Sequence, residues 1–119
     1  MGNAAGYANI YGVDPFDRRY QELLAKLDQL VTLLTRCDVS DWVDWLTRAR
    51  ESLAHSDAQG LDHLRSAFGG MGSLSDLVIH PMNGHTVDTG SVDRLNDELT
   101  QLRSDVYRLA ITLRRSLDR

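Results

Sequence analysis

The sequence predicts an all-α fold. It reads as a four-helix bundle, with helices at about 15–36, 40–54, 57–68 and 92–117 and a Gly-rich loop inserted before the last one. Three observations lead to that class. Apolar residues recur at helical spacing over two long stretches. Strand-type alternation is weak throughout. The 119 residues are 42% hydrophobic and 25% charged, the composition of one ordinary globular domain with a core of its own. Residues 1–13 read as a flexible N-terminal arm and 14–119 as a single helical domain.

The arm is rich in Gly and Ala, with Tyr7, Ile10 and Tyr11 and no period. The first helix starts at Pro15, a residue favoured at the first helical position. Asp14 is its N-cap and Asp17 suits the positive end of the dipole. Apolar residues at 16, 20, 23, 24, 27, 30, 31 and 34 span an arc of about 120°, a core-facing stripe from which Leu33 deviates. The helix ends near Arg36–Asp38.

The second helix is capped by Asp38 or Ser40, and Asp41 and Asp44 crowd its start. Trp42, Leu46, Ala49 and Leu53 share one face. Trp45 lies to one side, either as an edge residue closing the bundle or as part of a contact surface ringed by acids. The third helix has a capping-box spacing at Ser56 and Gln59, and Leu61, Leu64 and Phe68 form its stripe. Gly60 inside it costs about 1 kcal/mol relative to Ala, which predicts an irregular start. Gly69-Gly70 ends it through a left-handed C-cap.

Residues 69–90 hold five of the nine glycines. Here Ser73 caps one turn of helix, or else Leu74, Leu77, Val78 and Ile79 form a short buried segment. Asn83-Gly84 signals a turn. In the last helix Leu95, Leu99, Leu102, Val106, Leu109 and Leu113 follow the heptad spacing of a bundle seam. Tyr107 and Ile111 sit nearly opposite that seam, where another helix covers them or a second contact face begins.

No motif names a reaction, and neither catalytic residue nor cofactor is expected. Cys37 is the one cysteine, which excludes an internal disulfide and a cysteine-based zinc site. It reads as a buried, inert thiol. His55, His63, His80 and His85 form no HExxH and no Glu-x-x-His pair, so no metal centre is expected. His80 and His85 flank a turn and can approach one another, with Asp76 or Asp88 as a third ligand. GGMGS at 69–73 lacks the lysine of a phosphate-binding P-loop and does not follow a strand. There is no signal peptide or membrane span, so the expected location is the cytoplasm. The net charge is −4, and residues 37–62 hold six acids against two bases. Such a surface repels polyphosphate, and nucleic acid is not the expected partner.

The glycines have a structural reading of their own. Gly69 caps, Gly70 and Gly72 let the chain reverse, Met71 fills a gap, and Ser73 with Asp76 stabilises the next turn. The nonapeptide GGMGSLSDL at 69–77, with its apolar tail Val78-Ile79, also resembles the signature of a small uncharacterised bacterial helical domain. In that pattern Gly-Gly-Met-Gly-Ser is followed by a variable residue, Asn or Ser, Asp and an aliphatic residue. The Trp-rich upstream helix and the Gly60-containing helix are similar too, so that the resemblance spans about 16–113. It implies that Gly69, Gly70, Met71, Gly72, Ser73 and Asp76 carry the family signature. It also implies a stand-alone acidic protein of the immunity or antitoxin type.

The expected function is therefore non-enzymatic protein–protein interaction: occlusion of a basic toxin site by Asp38, Asp41, Asp44 and Trp45, with the GGMGS loop beside them. The alternatives are a helical homodimer, through the 95–113 seam or the Tyr107/Ile111 face, and a small-ligand-binding protein or enzyme with its site at 69–90.

Overall fold

The computed structural model describes residues 14–55, 59–69 and 72–117. The arm expected at 1–13 lies outside them, as do Ser56, Gly70 and Met71. The described chain is all-helical, with four α-helices: α1 (Pro15–Arg36), α2 (Ser40–Ala54), α3 (Gln59–Arg65) and α4 (Val92–Leu117). Four single turns of 3-10 helix punctuate the rest, at Ser66–Phe68, Leu74–Asp76, Pro81–Asn83 and Thr89–Ser91.

α1 begins as its sequence dictates. The Asp14 carboxylate accepts the Phe16 N–H at 2.8 Å, and Pro15 occupies the first turn, where no N–H is needed. Its far end is a Schellman turn. The Val39 N–H donates to the Leu34 carbonyl at 3.0 Å, the Asp38 N–H donates to the Thr35 carbonyl at 3.2 Å, and Asp38 takes the left-handed conformation with φ 57°. The next helix starts two residues after Asp38, at Ser40. Asp38 therefore cannot cap α2, and neither does Ser40. The N-cap is Val39, which makes no side-chain capping bond and is buried instead. The turn is too short to close one helix and cap the next with the same side chain.

α1 packs on both α2 and α4, α2 on α3, and α3 on α4. The packing is antiparallel along α1. The Tyr20 hydroxyl, near the start of α1, donates to the Leu53 carbonyl near the end of α2. Arg50 forks onto the Asp28 carboxylate at 2.9 and 3.1 Å. Lys26 pairs with Asp105 at 3.4 Å and Arg36 with Glu98 at 3.8 Å. Because two helices cover α1, its buried arc is wider than one stripe, and Leu33 is buried with Leu23, Leu27, Leu30 and Leu34. All six seam residues of α4 are buried, together with Ala110.

α3 is a short helix with a close approach built into it. A Cβ at Gly60 would stand 2.9 Å from Leu53 Cγ and 3.1 Å from Ser52 Cβ, so glycine lets α3 settle against the end of α2. Beyond the Ser66–Phe68 turn the chain leaves helical structure. Gly69 is extended there, with φ −122°, and not the left-handed cap that its sequence suggests. The 3-10 turn before it already redirects the chain.

From α3 onward the chain runs antiparallel to α4. Asp62 accepts from Arg114 at 2.9 Å, Phe68 rests against Tyr107 with ring centroids 5.0 Å apart, and Arg103 and Asn96 hold the stretch that follows. Tyr107 is thus partly covered by Phe68, and Ile111 is half-buried.

Candidate functional site

Residues 72–91 form no helix longer than a single 3-10 turn, yet Leu74 and Ile79 are fully buried. Their polar groups need partners, since a buried unpaired carbonyl or amide costs about 1–3 kcal/mol. Two side chains of α4 supply them. The Asn96 amide donates to the Ile79 carbonyl at 2.8 Å while its oxygen accepts the Ile79 N–H at 2.8 Å, imitating one rung of a sheet. Arg103 donates to the carbonyls of Leu74 at 2.9 Å and Leu77 at 3.1 Å. Burial pulls the Arg103 guanidinium below its ordinary range, and the charge of Asp76 opposes that shift.

Local chemistry shapes the rest of the segment. Gly72 has φ 78°, a conformation that side chains rarely adopt. Its N–H donates to the Asp76 carboxylate at 2.9 Å, which closes the turn at Leu74–Asp76. Ser73 stands at the N-cap of that turn without making a side-chain capping bond. The single helical turn is present but Ser73 does not cap it through its side chain, and of the expected buried segment Leu74 and Ile79 are buried, Leu77 is half-buried and Val78 is 50% exposed. Farther on, the His80 N–H donates to His85 Nδ1 at 3.2 Å and the Met82 N–H to His80 Nδ1 at 3.0 Å. The two histidines do approach one another, to hold the Pro81–Asn83 turn. Among the described residues no three His, Cys, Asp or Glu side chains are grouped to hold a metal ion.

The Thr86 N–H donates to the Cys37 carbonyl at 2.9 Å, tying the segment to the α1–α2 turn. Trp42 of α2 then lines an open cleft of about 230 Å³ with Gly72, Ser73, Asp76, Leu77, Val78, Asn83 and His85. Of the expected site residues, Gly72, Ser73 and Asp76 line this cleft. Asp38, Asp41 and Asp44 are exposed in the α1–α2 turn and the first turns of α2. Gly69 is exposed at the end of the turn that follows α3, and Gly70 and Met71 lie outside the described residues. Trp45 is half-buried; its indole stacks on His63 of α3 at 3.8 Å and meets Trp42 edge-on at 5.7 Å. One face of Trp45 is therefore occupied within the fold, and Trp42 is the indole that reaches the cleft. Met82, 88% exposed, and Val78 add apolar surface to this segment.

Sequence reasoning missed Asn96 and Arg103. A signal for them exists: they stand seven residues apart, each directly after a seam leucine, so they flank the seam on one side of α4. A second cleft of about 310 Å³ opens at the far end of the helices, between Phe16, Tyr20, Leu24, Leu53, Leu61 and Leu117. Its lining is mainly apolar, with Asp17 as its one charged group, and it shares no residue with the cleft at Trp42.

A family model described as a domain of unknown function (DUF6966) matches residues 35–88. The matched stretch begins in the last turn of α1, contains α2 and α3, and ends within the segment held by Asn96 and Arg103. The match leaves out most of α1 and all of α4. No curated protein and no solved structure matches the chain. No helix among the described residues is long and apolar enough to cross a membrane.

Proposed function

We propose that this chain is a non-enzymatic protein-binding module of the immunity or antitoxin type, acting in the cytoplasm to silence a bacterial toxin by covering its basic active site. In this reading a four-helix bundle is the rigid scaffold, and the glycine-rich insertion before its last helix is the platform. Asp38, Asp41 and Asp44 supply the field that draws a basic partner, which acts mainly on the rate of encounter. The indole of Trp42 and the apolar side chains of Val78 and Met82 supply the contact that slows dissociation.

The observation that carries the reading is the shared cleft. Trp42 comes from the acidic helix and Gly72, Ser73 and Asp76 from the signature segment, about thirty residues later, and they line one concavity. The extent of the family match is in keeping with this, since residues 35–88 contain both parts.

The test is affinity capture from the source organism with the full chain as bait, beside Asp41→Ala and Asp44→Ala. Both residues are exposed, so the variants keep the fold, which circular dichroism verifies. The expected result is a basic protein that arrests growth when expressed alone and is harmless when co-expressed with this chain. The variants retain less of it, most visibly at low salt. Equal capture by all three baits refutes the surface. A captured protein that is harmless alone refutes the inhibitor role.

A further inference from the structure

We infer that the cleft at Trp42 receives one arginine side chain of the partner, its guanidinium set between the Trp42 indole, the Asp76 carboxylate and the Ser73 hydroxyl. This deepens the occlusion reading and rests on it for the identity of the partner as a protein.

Size is the first argument. About 230 Å³ falls below the roughly 300–1,000 Å³ of pockets that enclose small-molecule ligands or cofactors, but it suits a single inserted side chain. Charge is the second. Asp76 lines the cleft and is exposed, and Asp41 precedes Trp42 on the same helix. Arg103 exerts its charge on Asp76, but its hydrogen bonds go to the carbonyls of Leu74 and Leu77 and to Thr100. A carboxylate has about four acceptor positions, and the Gly72 N–H uses one of those on Asp76.

Ser73 favours a donor ligand independently of the acids. Ser73 is 9% exposed and lines the cleft, and its Oγ is buried with no hydrogen-bond partner among the described residues. A buried hydroxyl without a partner costs about 1–3 kcal/mol, so a turn about χ1 that brings the Ser73 Oγ to a donor in the cleft is favourable. Indole is the strongest aromatic partner for a cation. Guanidinium has five donors in a rigid plane, so it can stack on an indole while donating sideways to both carboxylate and hydroxyl. Lysine also has three donors, but its tetrahedral ammonium cannot lie flat on an indole while donating in the plane of the stack. Val78, half exposed at the cleft, gives the methylene stem an apolar wall.

The test is a nuclear magnetic resonance titration of the full chain with N-acetyl-arginine amide, following the indole N–H signals of Trp42 and Trp45. The expected result is a saturating shift at Trp42 that exceeds the shift at Trp45. The citrulline analogue, which has the same shape without the charge, leaves Trp42 unmoved. Asp76→Asn keeps an acceptor for the Gly72 N–H and weakens binding roughly tenfold. Ser73→Ala removes a hydroxyl that has no partner among the described residues, so it folds normally and weakens binding roughly threefold.

A non-saturating shift, an equal shift at both indoles, or equal binding of citrulline overturns the proposal. The citrulline comparison uses the unaltered chain and decides even where a variant misfolds. If a partner is captured while Trp42 ignores arginine, the arginine site falls and occlusion stands. If Trp42 binds arginine while no partner is captured, the site stands and occlusion falls.

Discussion

Asp38 bears the sequence's first acidic charge after α1, but its position is governed by the backbone. At φ 57° an L-residue gives up about 1–2 kcal/mol relative to the right-handed region, and glycine does not. Asp38→Gly is therefore expected to raise stability by about 0.5–1 kcal/mol, after allowance for the greater freedom of glycine in the unfolded chain. Urea denaturation measures it, and a loss would mean that the carboxylate stabilises the turn. Gly60 poses the opposite case. Helix propensity alone predicts a gain of about 1 kcal/mol for Gly60→Ala. The approach of 2.9 Å to Leu53 predicts a loss of about 1–3 kcal/mol from overpacking, and packing is expected to win because Ser52 Cβ cannot swing aside. Cys37 carries the pH dependence. Burial pushes its thiol above the ordinary value of 9.0; Arg36 opposes that shift, and Glu98 and Asp38 add to it. Above this pH the unfolded chain releases the proton while the folded chain keeps it, so the unfolded state binds fewer protons. The contribution is complete below 9.0 and declines as pH rises beyond it. The fall in urea midpoint between pH 8 and pH 10 is accordingly expected to be smaller in Cys37→Ala.

The segment from Gly72 to Ser91 occupies the place along α4 that a fourth full-length helix would fill. Its backbone is held from outside, and Asn96 is the main clasp. Asn96→Ala leaves both polar groups of Ile79 without their side-chain partner. The expected outcome is a loss of about 1–3 kcal/mol and faster hydrogen exchange at the Ile79 amide, with the amides of α1 unaffected relative to global unfolding. Exchange at Ile79 equal to that of the unaltered chain would show that the segment holds itself. Arg103 grips the preceding turn, so the wall of the cleft at Trp42 is positioned by α4 although α4 contributes no lining residue.

Across the whole molecule, the heptad seam of α4 is turned inward. Leu99 and Val106 are fully buried, and Leu102 and Leu109 nearly so. A leucine packed this way contributes to the monomer's own core, so Leu99→Ala is expected to lower stability by about 2–5 kcal/mol in one cooperative transition. The melting temperature should not depend on protein concentration, whereas a dimer held by the seam would melt higher as concentration rises. The cleft at Trp42 and the cleft at Phe16 have no lining residue in common, so a substitution in one leaves the lining of the other unchanged.

The helices could be read directly because their determinants are local: the Asp14-Pro15 start, the stripe of α1 and the leucine spacing of α4 each repeat within a turn or two. The class of the fold and the acidic character of α2 follow from the same short-range patterns. The turn at Asp38, the extended Gly69 and the choice of Trp42 over Trp45 as the indole in the cleft do not. Each depends on groups distant in the chain: Val39 needed in the core, His63 stacked on Trp45, Asn96 and Arg103 pairing with a backbone that has no ladder of its own. Periodicity describes one element at a time, whereas a site is made where elements meet, and only packing brings residue 42 against residues 72–85.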